Sequence, residues 1–113
     1  MKTMNTPNRL GKTYTPDGWI VVEFRTNDGE VNRKVMASWY GGYLGSDSWK
    51  LSSGITETIE HEDHYEFVNH SGSVYKCGKN SFGLNGYASG VLESFKKDLE
   101  GVATIEVIDI RSE

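Results

Sequence analysis

Histidine and carboxylate side chains are concentrated in one short polar part of the chain. They are His61, Glu62, Asp63, His64, Glu66 and His70. Imidazole and carboxylate groups are the usual protein ligands of zinc and similar ions, so this segment is the first candidate for metal chemistry. His61 and His64 nevertheless bracket a polar turn and lack the i, i+4 helical spacing of a zinc hydrolase motif. The pattern favours a solvated turn, and we expect no metal and no cofactor.

Cys77 is the single cysteine of the chain and its candidate nucleophile. Lys76 and Lys79 flank it and could lower the pKa of its thiol, and His70 could act as a base. On an extended strand, however, Cys77 shares a face with Tyr75. A lone cysteine in such a place is more often a small buried residue than a reactive one. We therefore name no catalytic residue.

Aromatic rings cluster around a glycine-rich loop at residues 41–48. The candidate ligand-binding or partner-binding residues are Trp39, Tyr40, Tyr43, Asp47, Trp49, Tyr65 and Tyr75. Strand alternation cannot place all of these rings in one core, so some must face an uncovered side or line a loop. There they could stack a planar ligand or anchor a partner chain. The alternative is a small core rich in rings, in which the glycines permit bends.

Neither the glycines nor the positive charges form a recognisable phosphate site. Gly83, Gly86 and Gly90 precede and enter the predicted helix, but they follow no parallel strand and no Walker lysine pattern occurs. The formal net charge is -4 and the pI is near 5.4. An acidic surface repels phosphate backbones unless its positive charges cluster, so we do not expect nucleic acid as a partner.

The elements that must position these residues are mostly strands. Residues 19–24 and 31–40 are β-rich, and Asn27-Asp28-Gly29 between them predicts a hairpin, because a tight turn needs the positive φ that glycine adopts freely. Further strands are predicted at residues 48–51, 55–60, 64–68 and 73–77, with turns at 61–63 and 69–72.

One segment has helical periodicity. Its apolar residues recur at spacings of three and four and are Ala88, Val91, Leu92, Phe95 and Leu99. Gly101 stands where a helix C-cap is expected. The pattern predicts a helix over residues 86–100, followed by a final strand over residues 102–110.

This order of elements predicts an α+β fold: an antiparallel sheet of five to seven strands, one helix in the C-terminal half packed on one face, and then a final strand. Residues 1–17 are predicted to be a flexible arm, with Tyr14 or Pro16 packing at its end, and residues 18–113 a single domain. Both sheet faces carry apolar side chains, but the helix covers one of them. The second face must be solvated, pair with another subunit or bind something.

The composition points to a compartment by elimination. A single cysteine allows no intrachain disulfide, which fits a reducing compartment. No run of about 18 apolar residues occurs, which excludes a transmembrane helix. The first 12 residues lack the apolar run of a signal peptide. We therefore expect a cytoplasmic protein without membrane contact.

Residues 39–55, which read WYGGYLGSDSWKLSSGI, resemble the core of uncharacterised small bacterial proteins. Residues 72–77, which read GSVYKC, resemble the same group, and together the two segments cover about a fifth of the chain. That group is associated with mobile DNA such as integron gene cassettes and phage genomes. The resemblance implies an accessory protein, often a dimer or a small binding module, and it implies no reaction and no catalytic residue.

Three functional hypotheses stay open. The first is a small non-enzymatic binding or interaction protein, with the role of a mobile-element accessory protein, that forms a homodimer through a strand face or through residues 41–48. The second is a small-molecule-binding protein with an aromatic pocket between sheet and helix. The third is a small enzyme that uses His64, His70, Cys77 or Asp47.

Overall fold

The computed structural model describes residues 11–42 and 45–112. In chain order its strands are β1 Thr13–Tyr14, β2 Gly18–Thr26, β3 Val31–Trp39, β4 Ser48–Leu51, β5 Ile55–Glu60, β6 His64–Asn69, β7 Val74–Gly78 and β8 Ala103–Ile108. The α-helix, α1, is Gly86–Asp98 and lies between β7 and β8. Short 3₁₀ turns occur at Lys79–Ser81 and Ile110–Ser112.

The strands form two sheets of four strands each. The central sheet has the order β4-β3-β2-β8 and is antiparallel throughout. The outer sheet has the order β1-β7-β6-β5 and is antiparallel except for the parallel pair of β1 and β7. The α+β class and the antiparallel pairing are thus confirmed, whereas the prediction of one sheet is wrong.

Alternation along β2 and β3 explains why a second sheet is needed. Trp19 and Val21 point to one side of β2 and join a core with Tyr65 and Phe67 of the outer sheet. Ile20 points to the opposite side and packs in a second core beneath α1. Each face of the central sheet is therefore covered by another layer of the same chain, because neither face is polar enough to remain in water. The face that was expected to be bare is the one that the outer sheet covers.

The helix forms where the periodicity predicts it, and it ends two residues earlier. The Asn85 side chain caps it, since its Oδ1 accepts a hydrogen bond of 2.8 Å from the Ala88 backbone N–H. Leu92 is buried against the central sheet, and the Phe95 ring meets the Trp49 ring edge-on at 5.4 Å. Gly101 follows the helix with a φ of +84°, which a residue with a side chain rarely adopts.

The chain enters the fold through β1. Tyr14 lies in register with Tyr75 of β7, and their ring centroids are 4.9 Å apart. Pro16 is buried, so the two residues that were named as alternatives for packing at the end of the arm both pack. Residues 1–10 of the predicted arm lie outside the described residues. Along the described ranges, no helix is both long and apolar enough to cross a membrane.

Candidate functional site

The turn between β5 and β6 brings the two nearby histidines together. The rings of His61 and His64 stack with centroids 4.3 Å apart and planes inclined by 14°. The His61 Nε2 lies 3.2 Å from Glu66 Oε1 on β6. Ligand atoms of His61, His64 and Glu66 all lie within 4.8 Å of one another. The hairpin therefore brings these three side chains together without the i, i+4 spacing of a helix. The lack of that spacing is no longer a reason to expect no metal.

A carboxylate orients the second histidine of this group. His64 Nδ1 lies 2.7 Å from Asp63 Oδ1, and the ring nitrogen is the donor because an ionised carboxylate has no proton to give. This hydrogen bond keeps the pKa of Asp63 below its ordinary value, against a smaller opposing effect of desolvation. In the neutral imidazole, a proton on Nδ1 leaves Nε2 with the free electron pair.

Cys77 lies in the core between the two sheets and is inaccessible to solvent. Burial in this apolar environment raises the pKa of its thiol well above the ordinary value. Because the thiolate is the nucleophilic form, Cys77 in this position is unreactive at neutral pH. Tyr75 is equally buried, and desolvation raises the pKa of its phenol to about 12.

The candidate catalytic residues do not meet. His64 begins β6 and His70 directly follows its end, so a rise of about 3.3 Å per residue puts their backbones about 20 Å apart. His70 lines a different surface groove, together with Asn32 and Lys34. Cys77 lies in the core and Asp47 in the loop at residues 41–48. A nucleophile and its base must lie within hydrogen-bond reach, whereas these four residues lie at the start of β6, just past its end, in the core and in the loop at residues 41–48.

The aromatic candidates divide among separate environments. Tyr65 and Tyr75 are buried between the sheets, where a partner could reach them only if the fold opened. Trp39 is half-buried on the same side, and its Nε1 donates to the Thr15 carbonyl oxygen at 3.1 Å. Trp49 packs under α1 on the opposite side of the central sheet. Tyr43 lies outside the described residues.

Of the rings of this set that the structure describes, Tyr40 is the exposed one, with 65% of its surface accessible. Its backbone is held on both sides: the Tyr40 N–H donates to Asp17 Oδ2 at 2.9 Å, and the next N–H, of Gly41, donates to Asp47 Oδ1 at 3.0 Å. A Cβ atom at Gly41 would collide with the backbone of Ser46, so the loop closes this tightly only with glycine there. Tyr40 is thus an exposed ring on a fixed backbone.

An open groove of about 280 Å³ lies beside this ring. Its lining is mainly polar and comprises Asp17, Gly18, Tyr40, Asn80, Ser81, Phe82, Gly83, Leu84 and Asn85. Four polar residues of this lining, Asp17, Asn80, Ser81 and Asn85, were absent from the sequence candidates. Asn85 carried a recognisable signal, since asparagine before a helix is a typical cap. Asp17 carried none, because its contact with Tyr40 joins residues 23 positions apart.

Comparison with known proteins assigns this chain to no family. No family model matches the chain, and no curated protein or solved structure matches it. The resemblance of residues 39–55 to small proteins of mobile DNA therefore stays a prediction. Function has to be inferred from the residues themselves.

Proposed function

We propose that this chain is a small non-enzymatic binding protein whose contact surface surrounds Tyr40. The observation that carries the proposal is the ring of Tyr40, which is 65% exposed although its backbone is fixed by Asp17 and its neighbour Gly41 by Asp47. A residue whose backbone is already fixed loses only the freedom of its side chain on binding. Tyrosine is among the residues that most often carry the binding energy of an interface.

The groove beside Tyr40 supplies the polar half of such a surface. Asp17, Asn80 and Ser81 line it with groups that can form hydrogen bonds. Asn85 contributes less, because its Oδ1 caps α1 and its Nδ2 donates to the Trp39 carbonyl oxygen at 3.3 Å. A ring next to a polar groove matches the common division of an interface into an apolar centre and a polar rim.

The positions of the other candidates favour binding over catalysis. A catalytic set needs its members within reach of one reacting atom, whereas His64 lies at the start of β6, His70 just past its end and Cys77 in the core. The space between the central sheet and α1 is filled by Ile20, Leu92 and their neighbours. An aromatic pocket at that place would require those side chains to move. We therefore assign the second hypothesis, small-molecule binding, to the polar groove beside Tyr40 instead.

We propose a second copy of the chain as the first partner to test. The apolar sheet face that suggested a homodimer is covered by the outer sheet, so self-association has to use another surface. The region of residues 41–48, which was the other predicted contact, adjoins Tyr40. A two-fold dimer would place the same ring and groove on both sides of the contact.

The mass of the protein in solution tests this proposal. We expect light scattering at tens of micromolar to give a dimeric mass for the wild type and a monomeric mass for Tyr40→Ser. Tyr87→Ser is the matched control, because Tyr87 is also an exposed tyrosine, at 53%, and lies on α1. A monomeric wild type would exclude the homodimer, and an equal effect of both substitutions would exclude Tyr40 as the specific contact.

A further inference from the structure

We propose that the turn between β5 and β6 binds a divalent transition-metal ion of the zinc type, with His61, His64 and Glu66 as its protein ligands. Among residues 11–42 and 45–112, these side chains form the one group of three or more potential ligands. They differ from the residues of the Tyr40 groove, so this site goes beyond the proposed binding surface. Two imidazoles and a carboxylate are a donor set that suits Zn²⁺ and its neighbours in the first transition row.

The distance between His61 and Glu66 already fits a shared ion. Zinc bonds to histidine nitrogen and carboxylate oxygen are about 2.0–2.2 Å long, so two ligands of a tetrahedral ion lie about 3.3 Å apart. His61 Nε2 and Glu66 Oε1 are separated by 3.2 Å. The metal would replace the proton that this nitrogen shares with the carboxylate, and that proton would leave to solvent.

The third ligand needs a small movement. The most distant pair of ligand atoms can be up to 4.8 Å apart, which has to shorten by roughly 1.5 Å to match tetrahedral coordination. The side chains of His61 and His64 are 40% and 26% exposed, so rotation about their side-chain bonds can tilt the stacked rings towards one ion. The backbone of the turn stays in place, held by the hydrogen bond from the His61 N–H to the His64 carbonyl oxygen at 2.8 Å.

Asp63 acts as a positioning residue for this site. Its hydrogen bond to His64 Nδ1 sets the tautomer of that ring and leaves Nε2 as the electron-pair donor. Pairs of this kind, in which a carboxylate holds a histidine that binds the metal, are usual around zinc. Asp63 thus fixes the tautomer of His64 that metal binding requires.

The local charge also favours a cation. Residues 60–66 contain four acidic residues and no lysine or arginine. Lys76 lies opposite Glu66 on β7, and Lys79 is paired with Glu60 at 2.6 Å, so positive charge from the neighbouring strand offsets only part of this potential. Three protein ligands on an exposed turn leave the remaining coordination position to water. The ion would then join the turn to β6 and stabilise the hairpin.

Calorimetry and thermal unfolding of the untagged chain with Zn²⁺ test the site. We expect one equivalent to bind and to raise the melting temperature, because an ion that binds only the folded state stabilises it. His61→Ala, His64→Ala and Glu66→Gln should weaken binding at least tenfold, and Asp63→Ala by about 10–100-fold. His70→Ala is the matched control and should bind as the wild type does, since His70 lies outside the cluster.

A second readout separates lost ligation from lost folding. Co²⁺ in place of Zn²⁺ should give a visible absorption band with the wild type and with His70→Ala, and Glu66→Gln, which keeps the shape of the side chain, should lose or shift it. Circular dichroism in the absence of metal should be the same for all variants. The proposal is overturned if the wild type binds no Zn²⁺ at about tenfold molar excess, or if His70→Ala reduces affinity as much as His61→Ala does.

Discussion

Glu23 illustrates how a single ionised side chain is accommodated at the border of the core. Its side chain is 9% exposed, and its two carboxylate oxygens accept hydrogen bonds from Arg33 at 3.1 Å and Arg25 at 2.7 Å. The Arg33 hydrogen bond is the main reason why the pKa of Glu23 lies below its ordinary value, and the bond and charge of Arg25 add to it against some desolvation. Glu106 lies opposite Glu23 on β8 and is exposed.

This lowered pKa predicts how acid affects stability. The folded pKa lies below the unfolded value of about 4.3, so Glu23 stabilises the fold above that value, and the contribution disappears as the pH falls through the folded pKa. Glu23→Gln should therefore lower the free energy of unfolding at pH 7. The variant should then lose less of that free energy than the wild type between pH 7 and about pH 3. Urea unfolding at both pH values measures this.

Glu106→Gln is the control for the same prediction, because it removes the same charge from the adjacent position without breaking an arginine pair. It should leave the loss of stability in acid close to that of the wild type. If both substitutions reduce the loss of stability between neutral and acidic pH by the same amount, general charge repulsion and not the Glu23 pair would account for the effect.

At the scale of elements, α1 depends on the residue that caps it, Asn85, in addition to its apolar stripe. Asn85 is 7% exposed and links the cap of α1 to the end of β3, since it bonds to both Ala88 and Trp39. Asn85→Ala should lower the free energy of unfolding by about 1–2 kcal/mol, because the cap is lost and the partly buried Trp39 carbonyl oxygen loses a donor. Chemical denaturation measures the change.

Asn80→Ala provides the comparison for the cap, because Asn80 is an exposed asparagine in the same connection between β7 and α1. Its effect should remain within about 0.5 kcal/mol, as for most surface substitutions. Equal effects at the two positions would indicate that the Asn85 cap contributes nothing specific to stability.

At the scale of the whole molecule, the central sheet is shared by two cores. Trp19 faces the outer sheet, where its Nε1 donates to the Gly78 carbonyl oxygen at 2.7 Å, and Trp49 faces α1. Neither outer layer can separate without exposing one face of β2 and β3. We therefore expect all three layers to unfold as one cooperative unit.

Two probes of one variant test this cooperativity. In Trp49→Phe the remaining tryptophans, Trp19 and Trp39, report on the core between the sheets. Circular dichroism at the helical minimum reports mainly on α1. The two urea transitions should coincide in midpoint and slope, and a helix that melts before the tryptophan signal changes would show that α1 unfolds separately.

The order and type of the elements follow from the sequence because they depend on local patterns. The turn at Asn27-Asp28-Gly29 joins β2 to β3 as predicted, and Gly29 has a φ of +93°. The two-residue alternation places Val35 and Ala37 on one face of β3 and Met36 on the other. Side-chain periods of two and of about 3.6 residues are set by backbone geometry, so they can be recognised before the fold is known.

What covers the second face of the central sheet was decided only by the tertiary structure. The sequence shows that both faces of β2 and β3 are apolar, but a second subunit and a second sheet satisfy that requirement equally well. The hydrophobic effect has no direction, so it specifies burial without specifying the partner. His61 and Glu66 are only five residues apart and meet within a hairpin whose turn the sequence predicts. Tyr40, in contrast, meets Asp17 across 23 residues. That contact depends on the closing of the chain upon itself, which local residue patterns do not encode.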